Sequence, residues 1–170
     1  MNKLNYTEEI FNILSRGGFI SNNSVQAKIK RYYDAIEDHQ AEYDEYFLGI
    51  GFHLEAGDGY FFFTRKETKV DLQRKLEAVS KWIDYLTFLK TYNSAFGAGL
   101  VFSAADIVVR INCDMELKEL AGKLFSEKKS YDDIVEKLIS ELERMGFVEQ
   151  QDEVEKTWKV LASFHYIEEL

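Results

Sequence analysis

The sequence predicts an α+β protein, mostly α, in which one small module occurs twice and a long helix joins the copies. Three observations predict it. Apolar residues at helical spacing fill most of the chain. Two of these helical regions end in Gly-Phe, at 51–52 and 146–147, and each is followed by two short strand-like arms around a polar turn. Between the copies, residues 70–96 keep helical spacing without interruption.

The elements follow in order. "TEEIFNILSRGG" predicts a first helix, with Thr7 as cap, Glu8 and Glu9 at the positive end, and Ile10, Phe11 and Leu14 inward. "FIS" at 19–21 fits a short strand. From Ser24, the positions Val25, Ile29, Tyr32, Ile36, Tyr43 and Phe47 keep helical spacing. No Gly or Pro divides that region, so one helix and two bent helices fit it equally. "GFHLEAGDGYFFFTR" then predicts a hairpin turning at Gly57–Gly59. Its first arm alternates, whereas Tyr60, Phe61, Phe62 and Phe63 are apolar on both faces, which asks what covers the second face.

Along 70–96, Leu72, Leu76, Val79, Ile83 and Leu86 form one stripe, and Trp82, Tyr85, Leu89, Tyr92 and Phe96 form another. A helix apolar over that width needs two neighbours. Ser103 and Asp106 predict a capping box, "DMELKELAGKLF" a short helix, and Ser130 the cap of "YDDIVEKLISELERM", which ends at Gly146. "GFVEQQDEVEKTWKVL" closes the second copy as strand, turn, strand. A helical core followed by a β-hairpin is the order of a winged helix-turn-helix. The expected organisation is tandem winged helix-turn-helix domains at 1–69 and 98–170, with 70–97 as linker helix and a short tail at the end.

Composition narrows the function. The chain has 170 residues, a net charge of −9, one cysteine and no proline. The lone Cys113 cannot form an intrachain disulfide, and no apolar run resembles a signal segment or membrane span, so a cytoplasmic protein is expected. His39, His53 and His165 stand apart from one another and from Cys113, and no metal, nucleophile or phosphate-loop motif occurs. No catalytic residue, metal or cofactor is expected.

DNA reading is the usual task of a winged helix, and its third helix should then carry cationic or amide side chains. Here the corresponding helices carry Asp34, Glu37, Asp38, Glu42, Asp44 and Glu45 in the first copy, and Asp132, Asp133, Glu136, Glu141 and Glu143 in the second. Residues 98–170 hold sixteen Asp/Glu against nine Lys/Arg. Such a surface repels phosphates. The competing reading, a DNA-binding transcriptional regulator, rests on "KIKR", with Lys28, Lys30 and Arg31 as the candidate contacts. Protein recognition fits the apolar surplus better. Tyr60, Phe61, Phe62, Phe63, Trp82, Tyr85 and the tail residues Phe164, Tyr166 and Ile167 are the candidate dimer or partner contacts, so a second chain is expected to cover the hairpin.

The order "ILSRGGFIS", "YDEYFLGIGFHLEAGDGYFFF", "KLEAVSKWIDYLTFL" and "WKVLASFHYIEEL" resembles the MukE/MksE-like subunits of bacterial SMC-type condensins. These belong to the kite group of tandem winged-helix, kleisin-interacting proteins, and Wadjet-type defence systems contain a similar subunit. The resemblance implies a homodimer that binds a kleisin and, through it, an SMC ATPase, in a nucleoid-associated complex that folds or segregates DNA. It implies only indirect contact with DNA, no membrane and no catalytic residues.

Overall fold

A computed structural model describes residues 4–128 and 130–170; residues 1–3 and 129, which fall within the expected domain bounds, lie outside the described residues. The fold is mixed α+β, with eight helices and two three-stranded antiparallel sheets among the described residues.

Helix α1 (Thr7–Leu14) buries Ile10 and Leu14. Thr7 does not cap it. Tyr6 holds the cap position at φ 60°, with no side-chain capping bond, and its ring lies 5.1 Å from that of Tyr32. Ring packing thus sets the entry to this helix. After β1 (Ile20–Ser21), the helical region is two helices, α2 (Ala27–Asp38) and α3 (Gln40–Leu48). The break at His39 (φ −138°, ψ 40°) lets Ile36 on one helix and Tyr43 and Phe47 on the next enter the same core.

Strands β2 (His53–Gly57) and β3 (Tyr60–Thr64) pair in register from His53↔Thr64 to Gly57↔Tyr60. The Tyr60 ring lies across Gly57, where an added Cβ would sit 2.0 Å from it, so the turn requires glycine there. Strand order is β1–β3–β2, which makes β3 the central strand. This explains the unbroken apolar run: a strand covered on both faces has no wet side to alternate with. Phe61 and Phe63 face the N-terminal core, where Phe61 lies 5.0 Å from Tyr33 and Phe63 lies 4.9 Å from Phe47.

Helix α4 (Lys69–Tyr92) begins with a reciprocal capping box between Thr68 and Asp71. It stops at Asn93, short of Phe96, yet Phe96 is still buried, 5.2 Å from Phe102 and 5.3 Å from Phe164. Strand β4 (Val101–Ser103) follows, in a stretch where only the capping serine is legible beforehand. Three helices come next: α5 (Ala104–Cys113), α6 (Met115–Leu124) and α7 (Tyr131–Arg144). Ser103 and Ser130 accept from the Asp106 and Asp133 amides, as expected. Strands β5 (Val148–Asp152) and β6 (Thr157–Val160) and the final helix α8 (Phe164–Glu168) complete the chain. The second sheet is ordered β4–β6–β5, repeating the first.

Two apolar clusters result. Ile10, Tyr33, Ile36, Phe47, Leu54 and Phe61 belong to the first. The second takes Trp82, Tyr85, Phe88, Leu89 and Tyr92 from α4, together with Ile107, Leu138, Phe147 and Phe164. The C-terminal half of α4 is thus built into the second cluster.

Phe61 is 3% exposed within its own chain. Phe61→Asp should therefore unfold the N-terminal cluster rather than release a partner. Urea unfolding should show a loss of more than about 3 kcal/mol; unchanged stability with a halved mass would contradict this.

Candidate partner-docking surface

The second face of β3 is covered from within the chain. Phe19 lies 5.8 Å from Tyr60, 5.7 Å from Phe62, 5.0 Å from Phe147 and 5.2 Å from Tyr166, and Phe62 lies 5.2 Å from Tyr166. Aromatic rings from both halves of the chain thus form one continuous seam. Burial, followed by the nearby Glu169 carboxylate, pushes the Tyr60 hydroxyl up to about 12.

Polar bonds close the rim of this seam. The Ser24 hydroxyl donates to Glu149 at 2.7 Å and the Val25 amide donates to the same carboxylate at 2.8 Å. Glu149 thereby serves the entry to α2 from a strand in the other half. The Asn23 side chain accepts from the Ala162 amide at 2.8 Å and donates to the Val160 carbonyl at 3.3 Å. The Ser163 amide donates to the Ser21 hydroxyl at 3.1 Å. Partners lie 124 or more residues apart along the chain, and no local sequence signal marks them.

This corrects the expected partner contacts. Tyr60, Phe61, Trp82, Tyr85, Phe164 and Ile167 are buried by their own chain, and of these only Trp82 and Ile167 reach the wall of an open groove. Phe61 lies in the N-terminal cluster and Trp82, Tyr85, Phe164 and Ile167 in the C-terminal one, while Tyr60 packs on Phe19 in the seam. Phe62, Phe63 and Tyr166 are half-buried. Lys28, Lys30 and Arg31 are exposed on α2, beside the exposed Asp34, Glu37 and Asp38.

Large apolar side chains stay open at Tyr46, Leu48 and Ile50, at Val109 and Met115, and in a row on the N-terminal half of α4. Val70, Leu72, Leu76 and Ile83 are 58%, 49%, 70% and 46% exposed, although the stripe Leu72, Leu76, Val79, Ile83, Leu86 has the alternating four- and three-residue spacing of a helix–helix seam. From Trp82 onward the second stripe, Trp82, Tyr85, Leu89 and Tyr92, is buried, while Ile83 on the first stays exposed. Beside the open stripe lies an apolar groove of about 260 Å³, whose walls include Phe19, Phe62, Phe63, Val79, Trp82, Met145, Tyr166 and Leu170, with Lys75 at its edge. Five residues of the expected set, Phe62, Phe63, Trp82, Tyr166 and Ile167, thus meet in one groove.

The groove's helix is anchored from below. The Tyr85 hydroxyl donates to Glu141 at 2.6 Å, and Lys81 approaches the same carboxylate at 2.8 Å. Burial, then the hydrogen bond to Glu141, drives the Tyr85 hydroxyl far above its ordinary range. Burial raises Glu141, but the hydrogen bonds from Lys81 and Tyr85 outweigh it and leave the carboxyl below its ordinary value.

The described residues form an α+β scaffold, with its two sheets bound face to tail by aromatic rings and one long helix left half-dressed. A family model described as condensin complex protein MksE matches residues 5–170, and the chain belongs to that family, as a subunit of a multisubunit condensin complex. A search of curated proteins returned no match.

Because the folded Glu141 carboxyl lies below its ordinary value of 4.5, its contribution is fully present above that pH and is lost as pH falls through the folded value. Acid titration followed by near-UV circular dichroism should show α4 loosening from α7 in that window. Glu141→Gln should remove that part of the curve; an unchanged curve would contradict the linkage.

Proposed function

We propose that the chain is the non-enzymatic accessory subunit of a bacterial SMC–kleisin complex of the MukBEF/MksBEF type. It binds the kleisin and, through it, the SMC ATPase. Its two halves are read as tandem winged-helix domains. The repeated strand order and the Gly-Phe before each hairpin support this, with the variation that three helices rather than two separate the first two strands of the second unit. The protein acts in the cytoplasm on the nucleoid, in chromosome condensation and segregation or in defence against plasmids, and it touches DNA mainly through its partners.

The observation that carries the reading is the open stripe of α4 beside the apolar groove, in a chain whose family works inside an assembly. About two and a half heptads of apolar side chains left in water favour association. The stripe is read as the homodimer contact, and the groove at its foot as the seat of a kleisin segment. The expected dimer contact thus moves from the hairpin to the helix that follows it.

Leu76→Asp combined with Ile83→Asp should halve the mass measured by light scattering and leave the circular dichroism spectrum unchanged. A mass that stays dimeric would remove the stripe as the dimer contact. Phe62→Asp, with its circular dichroism spectrum unchanged, should weaken co-purification with a kleisin subunit by at least about tenfold; retention at the original level would remove the groove.

A further inference from the structure

The groove between α7 and the β5–β6 hairpin is a second surface, remote in chemistry from the α4 stripe. We propose that it docks a basic, apolar segment of a partner protein. In a winged-helix module this helix and hairpin form the side turned to DNA. Here the groove measures about 690 Å³ and has Val108, Ile139 and Trp158 as its apolar floor, with a charged rim of Asp132, Glu136 and Glu153 against the single cation Lys156.

Charge chooses the occupant. Residues 130–156 hold nine Asp/Glu against three Lys/Arg, and Lys137 is already paired with Glu127. A field of this sign turns phosphates away and draws Lys and Arg in. The floor asks for apolar side chains between those cations. Trp158 is half-buried, its ring stacked on Phe102 and its indole N–H donating to Glu143 at 3.3 Å, so a flat aromatic surface is held in place. A second copy of this chain, with its net charge of −9, is a poor match to an acidic groove. A basic partner segment satisfies both the floor and the rim, and a surface of this kind would occupy protein segments otherwise available to DNA.

The test uses the full chain and three synthetic peptides of equal length: one alternating Lys and Leu in an amphipathic helix, one with Glu for Lys, and one with Ser for Leu. Trp158 emission reports binding, assigned by Trp158→Phe. The expected result is a saturable blue shift with the Lys/Leu peptide and little with the other two. Asp132→Lys with Glu136→Lys should weaken it by about tenfold, whereas Asp38→Lys with Glu45→Lys on the other half should change it less than about twofold. Asp132→Asn with Glu136→Gln, chosen to leave the melting temperature unchanged, should weaken it in the same direction. Leu76→Asp should have no effect, which separates this site from the α4 stripe. The proposal is overturned if the Ser-substituted peptide binds as tightly, if both sets of charge reversals weaken binding equally, or if Trp158 does not respond. It is overturned equally if the groove variants dissolve a dimer of the free chain, which would make the occupant a second copy.

Discussion

Everything in this fold depends on how the second face of β3 is kept dry. A central strand carrying four consecutive aromatic residues needs apolar cover on both sides, and its own half covers one side fully and the other only through Phe19. The other side is covered by Phe19 together with Phe147 and Tyr166 from the C-terminal half. Each such ring pair adds about 0.5–1.5 kcal/mol beyond its buried area. The hydrogen bonds of Asn23, Ser24 and Glu149 close the rim, so the groups excluded from water there have partners. The two halves therefore join through a mixed apolar and polar contact rather than through a linker alone.

That constraint decides what is left for others to bind. With the hairpin faces and the lower half of α4 used largely internally, the exposed apolar side chains that line up at helix–helix spacing lie on α4 beside the groove, while others, such as Tyr46, Leu48, Ile50 and Met115, stay in water elsewhere. The opposite character appears at α7 and the second hairpin, where carboxylates ring a small apolar floor. An assembly subunit with one greasy and one acidic surface can sort partners by chemistry, because each surface penalises the other's ligand through desolvation or like charge.

Much of this was legible in the sequence, and the exceptions have physical causes. Helices with a single amphipathic stripe, such as α7 with Ile134, Leu138 and Leu142, could be read from spacing, as could both hairpins from Gly57–Gly59 and the polar run after Val148. The family resemblance was visible in the order of elements and is borne out over residues 5–170. The break at His39 carries no Gly or Pro punctuation, and the strand at Val101–Ser103, though preceded by Gly97 and Gly99, is too short to show an alternating pattern. The partner surface was read in the right kind of residue and partly at the wrong addresses. Sequence counts greasy side chains without revealing which other part of the same chain will meet them. Phe19 and Phe147 meet although they lie 128 positions apart, and no window of pattern reading spans that distance.

Amide hydrogen exchange on the free chain, followed peptide by peptide, tests the central claim most directly. The account predicts that residues 19–25 and 58–62 are already protected without any partner, while the first three turns of α4 exchange quickly and slow only on assembly. Rapid exchange at 58–62 in the free chain, lost only when another protein is added, would mean that the aromatic strand waits for a foreign cover and would contradict the account.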